Sequence, residues 1–330
     1  MTMAAALHIP VLARPVVEYF RGVANLRRLV DGTLGNGGHS RLLLEARPEL
    51  EILGIDRDHA ALERARKNLA EFGTRFTAVH GEFRNLKEIA ETHGWHEADG
   101  VLLDIGVSSP QIDEAARGFS WRQDGPLDMR MDREQPLTAS RVVNGYAEAD
   151  LARIFREYGE LQSARKLARA IVARRAEKPF AATVELAEFC ERILGRSQPG
   201  RLPLPTLVFQ ALRIEVNDEL EQLRRGLEQA LALLRPGGRL AVITFHSLED
   251  RMVKNFMREA ARECICPPGL PVCVCGHHAE LTLPVRGVIA ADAAELAENR
   301  RAASAKLRIA DKASGEKAVK QKNRTEERSS

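Results

Sequence analysis

The sequence predicts an α/β chain, a parallel Rossmann-like sheet carrying an inserted all-helical domain. Three observations predict it. Short β-rich runs alternate with helical patterns up to about residue 104, no strand can be read from about Ile112 to Arg213, and the alternation then returns. A parallel sheet interrupted in this way implies one discontinuous domain with an insertion. Two tandem domains would not resume the first pattern after the break.

The elements follow in order. Leu26–Asp31, Glu51–Asp56, Arg75–His80 and Asp99–Asp104 are expected as strands, with helical stretches at His59–Phe72 and Phe83–Thr92 between them. The middle block offers helices at Glu148–Tyr158, Leu161–Ala176, Thr183–Leu194 and from Thr206 onward, with loops marked by Pro136, Pro179 and Gly195–Pro205. Leu220–Leu234 is an amphipathic helix stopped by Arg235-Pro236-Gly237-Gly238. Arg239–Thr244 then forms a buried strand, and a helix runs from Ser247 to Ala261. The boundaries expected are a core of 1–112 plus 214–310, an insert of 113–213 and a charged, disordered tail of 311–330.

Composition sets outer limits. A chain of 330 residues exceeds the size at which one core stops growing, and 44% apolar with 29% charged residues is ordinary for a globular enzyme. The net charge of +3 is mild. No stretch approaches the roughly 18 consecutive apolar residues of a membrane span, and no signal-peptide core is visible, so a cytoplasmic location is expected. Four of five cysteines crowd into Cys264-Ile265-Cys266 and Cys273-Val274-Cys275. Paired thiolates can bind zinc, and His277 and His278 lie close by. C-x-C is tighter than the usual C-x2-C knuckle, so a reduced, Pro-rich loop is expected and no metal.

The segment from Val30 to Ser40 carries the most information. It passes from a strand into a helix through Gly32, Gly35, Gly37 and Gly38, where a backbone without side chains approaches a ligand closely and the helix start offers free amides. A dinucleotide fingerprint wants a third glycine where Ser40 stands. Asp31-x-x-x-Gly35-x-Gly37 instead resembles the first motif of S-adenosylmethionine (SAM) methyltransferases. About 20 residues beyond the glycines Asp56 ends a strand, the offset at which a carboxylate accepts both hydroxyls of a ribose. The competing role for Asp56 is to cap the helix from Asp58 onward.

Asp104 and Ser108-Ser109-Pro110-Gln111 follow the fourth strand, whose C-terminal end faces the ligand crevice in such sheets. Enzymes that methylate exocyclic amines carry Asn, Asp or Ser, then Pro-Pro and an aromatic at this point. The segment here looks like a loosened version of that motif. An amine conjugated to a pyrimidine is a weak nucleophile, so acceptors must hold its N–H bonds while its lone pair turns to the methyl group. A simple turn is the alternative. Arg117 to Asp132 is rich in Gly, Met and Arg, and Phe119, Trp121 and Met129 there fit either a splayed base or a core. Arg165, Lys166 and Arg169 can share a helix face, with Arg174 opposite; phosphate binding and a solvated salt-bridged helix weigh equally. Phe245 to Arg251 is not a hydrolase triad, because its residues are consecutive; Ser247 is expected to cap a helix, with Asp250 completing a capping box. His246, at the strand end, could face the acceptor or simply be hydrogen-bonded.

Together with His8-x-Pro10-Val11-Leu12, Phe209–Glu219, Arg235–Arg251 and Ser304–Arg308, these segments closely resemble the bacterial small-subunit ribosomal RNA methyltransferase H family (MraW type) over nearly the whole chain. The resemblance implies SAM as cofactor, the N4 amine of a decoding-centre cytidine in 16S rRNA as acceptor, the small ribosomal subunit as partner, a seven-stranded sheet, and room for a homodimer. It implies that Gly35, Gly37, Gly38 and His39 line the SAM site, that Asp56 holds the ribose and Phe83 flanks the adenine, and that Asp104 and Gln111 complete the pocket. Asp104, Ser108, Ser109 and Pro110 would serve the transfer, and the inserted helices would recognise RNA. Pro203-Leu204-Pro205-Thr206-Leu207 departs from the family's His-Pro-Ala-Thr-Arg, and Asn299-Arg300-Arg301-Ala302-Ala303-Ser304 from Asn-Pro-Arg-Ala-Arg-Ser, altering RNA contacts but not the cofactor site. A SAM-binding ribosome-assembly factor with little turnover is the alternative. An NAD-dependent oxidoreductase rests only on the glycine turn and Asp56.

Overall fold

The computed structural model of the chain describes residues 10–195, 200, 202–267, 270 and 272–314, so His8 and residues 315–330 lie outside what is described. The chain divides into two compact units, Met1–Gly106 with Leu223–Ser330, and Val107–Gln222. The second unit is wider at both ends than the 113–213 expected of the insert, because it includes the loop after the fourth strand and the first turn of the helix Glu219–Leu233.

The first unit is built on one sheet. Its strands are β1 (Arg28–Asp31), β2 (Glu51–Asp56), β3 (Phe76–His80), β4 (Ala98–Asp104), β5 (Leu234–Thr244), β6 (Leu281–Thr282), β7 (Ile289–Ala290) and β8 (Lys306–Lys312). Among the described residues the order is β3-β2-β1-β4-β5-β8-β6, with β7 added on β8. β1 to β5 run parallel, and β8 runs antiparallel to β5. The expected seven strands are thus joined by the two-residue β7. The chain winds outward from β1 through β2 to β3, then returns to lay β4 on the other side of β1. Ligands bind at such a reversal, outside the carboxyl ends of the strands.

Both faces of this sheet are covered, which is why its strands carry continuous apolar runs. Leu29, Ile52, Leu102 and Ile243 pack on one face with the helices Ala13–Arg21, Gly38–Ala46 and His59–Asn68. Val30, Leu53, Leu103 and Val242 pack on the other, against Leu223, Leu227 and Val253. Alternate residues supply alternate faces.

Three expectations change at the C-terminal side. β5 begins at Leu234 and runs through Arg235-Pro236-Gly237-Gly238, where a strand was expected only from Arg239. β8 carries the sheet through Lys312, two residues into the stretch expected to be a tail. Asp311 stands opposite Arg239 and takes two guanidinium bonds from it, at 2.6 and 2.8 Å. Ser247 does not cap its helix; His246 does, its Nδ1 accepting the Glu249 amide at 3.4 Å while Glu249 accepts the amides of Phe245 and His246. Asp250 is thereby released to hold Arg308 at 2.7 Å and Lys306 at 3.4 Å on β8. Burial alone would raise its carboxyl; Arg308 and Lys306 outweigh it and keep it below the usual carboxylate range.

The second unit is helical, with helices Ser109–Asp113, Ala139–Gly145, Glu148–Glu157, Ala164–Glu177, Thr183–Leu194 and Leu204–Asn217 around a core that includes Phe155, Leu167, Phe180 and Leu212. The Gly/Met/Arg loop belongs to this core. Met129 is fully buried, and Arg117 is buried with its guanidinium donating to the carbonyls of Arg130 and Met131. Asn217 clamps the loop, donating to Met129 O at 2.7 Å and accepting from Met131 N at 2.8 Å. Trp121 donates its Nε1–H to Thr206, a residue of the departed Pro203–Leu207 segment. Packing therefore claims Met129 outright.

The basic helix resolves into two halves. Ala164, Leu167, Ala168 and Ile171 face the core at helical spacing, which leaves Arg165, Lys166 and Arg169 exposed. Arg174 pairs with Glu185 at 2.6 Å, and Arg175 donates to the carbonyls of Val143 and Tyr146. Those two arginines are structural.

Candidate active site

Asp31 ends β1, and the glycine turn leaves it directly. Gly35 and Gly37 have positive φ of 53° and 81°, and a β-carbon on Gly37 would stand 2.7 Å from Leu69. Glycine is required there by both conformation and space. The turn is held from outside. Arg64 donates to Asn36 Oδ1 at 2.8 Å, and Asn68 donates to the Asn36 carbonyl at 3.0 Å. Gly37 is the N-cap of the helix Gly38–Ala46, and no side chain caps that helix. Its first amides are left for a ligand.

Asp56, at the end of β2, accepts the Gly35 amide on Oδ2 at 2.7 Å and the Asp58 amide on Oδ1 at 2.8 Å. It does not cap the next helix; Asp58 does, through the Ala60 amide. Burial raises the Asp56 carboxyl, and the two amides oppose it only in part. Each oxygen keeps acceptor capacity beyond these bonds. Phe83 lies beside Gly32, where a β-carbon would stand 3.1 Å from it, and under Gly226, where the distance would be 2.4 Å. Two glycines thus fix the position of this ring.

Asp104 ends β4, next to β1, and its amide donates to Thr33 Oγ1 at 2.6 Å. Its Oδ2 stands 3.5 Å from His39 Nε2. Asp104 Oδ1 and both ring nitrogens of His39 are buried without a hydrogen-bond partner among the described residues. Buried polar atoms are ordinarily satisfied, so unmet groups converging at strand ends mark a place where a polar ligand completes the network. The residues fit a nucleoside cofactor that carries both a carboxylate and cationic groups. Uncapped helix amides would suit the former, acids the latter.

One acid in the cradle was not singled out as a site residue. Asp31 is 2% exposed, with Oδ2 accepting from Ser40 Oγ at 2.7 Å and Oδ1 from the Thr33 amide at 3.2 Å. Burial pushes it up to about 6, against the pull of Ser40, His39 and Thr33, with Asp104 adding to the push. Ser40 in the third-glycine position was the available signal, because it is the residue that holds this acid.

The structure thus brings Gly35, Gly37, Gly38, His39, Asp56, Phe83 and Asp104 into the first unit, around the strand ends. Ser108, Ser109, Pro110 and Gln111 open the second unit, at the start of the helix Ser109–Asp113. Gln111 is buried and its Oε1 accepts the Ser108 amide at 3.0 Å, so it braces this helix start. Ser108 Oγ is buried and faces the Gln111 amide in a capping box, short of a full hydrogen bond. His246 serves its own helix as described above.

A sequence profile described as the MraW methylase family matches residues 5–313. Proteins named Ribosomal RNA small subunit methyltransferase H are similar over most of their length. That of Carboxydothermus hydrogenoformans is 49% identical over 310 residues, covering 93% of this chain and 98% of the relative. That of Geobacter sulfurreducens is 50% identical over 312 residues, covering 92% and 98%. That of Syntrophotalea carbinolica is 49% identical over 310 residues, covering 93% and 98%. A glycine cradle at the strand reversal, its unmet acid and imidazole, and identity sustained across both units agree, and the chain belongs to the MraW methylase family.

Proposed function

We propose that this methylase transfers a methyl group from SAM to the N4 amine of a cytidine in the decoding centre of 16S ribosomal RNA, acting in the cytoplasm on the small subunit. The observation that carries it is the set of unmet polar atoms at the strand ends, Asp104 Oδ1 and the His39 ring, beside the uncapped helix start. The relatives' names give the RNA class. SAM supplies an electrophilic methyl group on a sulfonium.

The protein's own residues divide the remaining work. Gly37, Gly38 and His39 offer backbone to the cofactor, Gly35 shapes the turn through Asp56, and Asp56 accepts from the ribose. Phe83 flanks the base, and Gln111 steadies the start of the helix that carries Ser109 and Pro110. Asp104 and, four residues along the chain, Ser108-Ser109-Pro110 hold the amine, with Asp104 and Ser108 as acceptors and Pro110 fixing the local backbone. No strong base is needed, because the amine loses its proton after it has taken the methyl group. Among the described residues no helix is long and apolar enough to cross a membrane.

The test is methyl transfer to small subunits that lack the modification, read by nucleoside mass spectrometry. N4-methylated cytidine at one decoding-centre position is expected, with many methyls transferred per protein molecule. Transfer limited to one methyl per protein would favour the assembly-factor reading, and label found only on protein or DNA would sink the assignment. Sedimentation of the same sample reads whether the homodimer allowed by the resemblance forms.

Two further outcomes are expected. Asp56→Ala should weaken SAM and its demethylated product alike, by about 1–3 kcal/mol, since the ribose is common to both. Calorimetry checks this; Asp56→Asn, which keeps an acceptor for only one of the Gly35 and Asp58 amides and sets an NH2 against the other, should recover little of the loss. Unchanged affinity in the alanine variant would place the ribose elsewhere. Replacing Arg165, Lys166 and Arg169 together by alanine should weaken RNA binding and lower the salt slope, log K against log [salt], by about 2–3. The same change at Arg174 and Arg175 should act through stability instead, and melting curves would separate the two.

A further inference from the structure

Among its described residues, the cysteine segment between the helix Ser247–Ala260 and β6 has neither a ladder nor a core to hold it. Its base is closed by one main-chain bond, from Glu280 N to Ala260 O at 2.8 Å. Beyond that base, among the described residues, it forms no helix or strand, and it turns apolar side chains outward; Val272 is 72% exposed and Val274 78%. Yet its four sulfurs converge. All lie within 4.8 Å of one another. Cys264 and Cys273 stand 3.4 Å apart, Cys273 and Cys275 3.4 Å, Cys264 and Cys275 3.8 Å, and Cys266 and Cys273 3.9 Å. Four thiolates about 2.3 Å from a central zinc would be spaced about 3.8 Å apart.

The main chain is arranged for sulfur as well. The amides of Cys266 and Val274 donate to Cys264 and Cys266, each at 3.4 Å. Amide donors spread the charge of a thiolate set, the outer-shell role that tunes metal sites. The group of converging ligand atoms holds the four sulfurs and no histidine nitrogen, so the ligand set is four cysteines. The tight C-x-C spacing, which had argued for an empty reduced loop, is met by pairing across two strands of chain that the Ala260–Glu280 closure brings together.

We propose that Cys264, Cys266, Cys273 and Cys275 bind one structural zinc ion. Four thiols bind Zn²⁺ as thiolates and release four protons, so affinity falls as pH drops. All four positions are protein ligands, which leaves none for substrate and makes the centre a clamp, not a catalyst. It fixes the loop leading into β6 at the sheet edge, away from the methyl-transfer residues in sequence and in role.

The experiment uses untagged full-length protein, purified reduced and without chelator. Elemental analysis should find about one zinc per chain, released when the thiols are mercurated. Cobalt exchanged into the protein should give the intense visible bands of a tetrahedral thiolate complex. Cys264→Ser with Cys273→Ser should lose the metal and those bands while keeping SAM binding. Chelation should speed amide exchange in residues 261–282 and leave residues 30–40 unchanged. Four thiols that stay freely reactive after zinc titration would overturn the proposal. So would disulfides, seen as a mass two hydrogens lower per bond, or iron in place of zinc. If the double variant fails to fold, metal content and the cobalt spectrum of the unaltered chain still decide.

Discussion

Asp104→Asn is expected to slow methyl transfer by about 10²–10³ while leaving the fold and most SAM affinity in place. The carboxylate is held from both directions, by its own amide on Thr33 Oγ1 and by Oδ2 near His39. Its Oδ1 is buried and unmet. An unmet buried oxygen costs about 1–3 kcal/mol, so its persistence points to a partner that arrives with the reactants. The accepting amine becomes positively charged as it takes the methyl group. A carboxylate therefore gains more from the transition state than from the ground state, which is the condition for raising rate instead of affinity. Asparagine keeps an acceptor oxygen but loses the charge, and charge-assisted bonds are about twice as strong as neutral ones. Single-turnover rates with saturating SAM and RNA should show the drop. A raised KM with an unchanged rate would make Asp104 a binding residue only.

The sequence made the frame legible because each signal was local and periodic. β2 was read to the residue, and β1, β3 and β4 within two residues; in β1, β2 and β4 a strand covered on both faces must be continuously apolar, whereas the edge strand β3 was marked by its β-rich run alone. The glycine turn was legible because positive φ at Gly35 and Gly37 demands the residue itself. What failed were long-range pairings. β8 is mixed in polarity and stabilised by lying against β5, with Arg239 and Asp311 meeting across 72 positions of sequence. The cap at His246 was misplaced because serine is the stronger cap by propensity, while the Glu249 carboxylate behind it fixed the frame one residue earlier. The convergence of the four sulfurs was not legible, because spacing within one C-x-C says nothing of where the other C-x-C lies. Asp31 was seen as part of a pattern, but nothing in its neighbours' identities announced how completely it is buried.

That burial gives the second large effect. In the ligand-free protein Asp31→Asn should stabilise the fold near neutral pH by about 3 kcal/mol, and weaken SAM. The sign follows from linkage. The folded carboxyl sits at about 6 against an ordinary 3.8, so the native state binds the proton more tightly than the unfolded chain. Its contribution to stability is fully present below about pH 4 and is lost as pH rises through 6. Asparagine removes the group and with it that loss, while its amide can still accept from the Thr33 N–H and donate to Ser40. Unfolding curves for the two proteins should therefore agree near pH 4 and diverge up to about pH 7. Function runs the other way. Positive charge in the cradle favours ionised Asp31, so SAM affinity should climb as pH rises through about 6, and the demethylated product, which lacks the sulfonium charge, should climb less. In Asp31→Asn both dependences should flatten. Equal destabilisation of the variant at pH 4.5 and 7.5 would show instead that Asp31 matters only as the acceptor for Ser40 and Thr33. The expected result makes the cradle costly to the resting fold and complete only with a cation in it, which is how a buried acid at a strand end comes to favour the cofactor over its product.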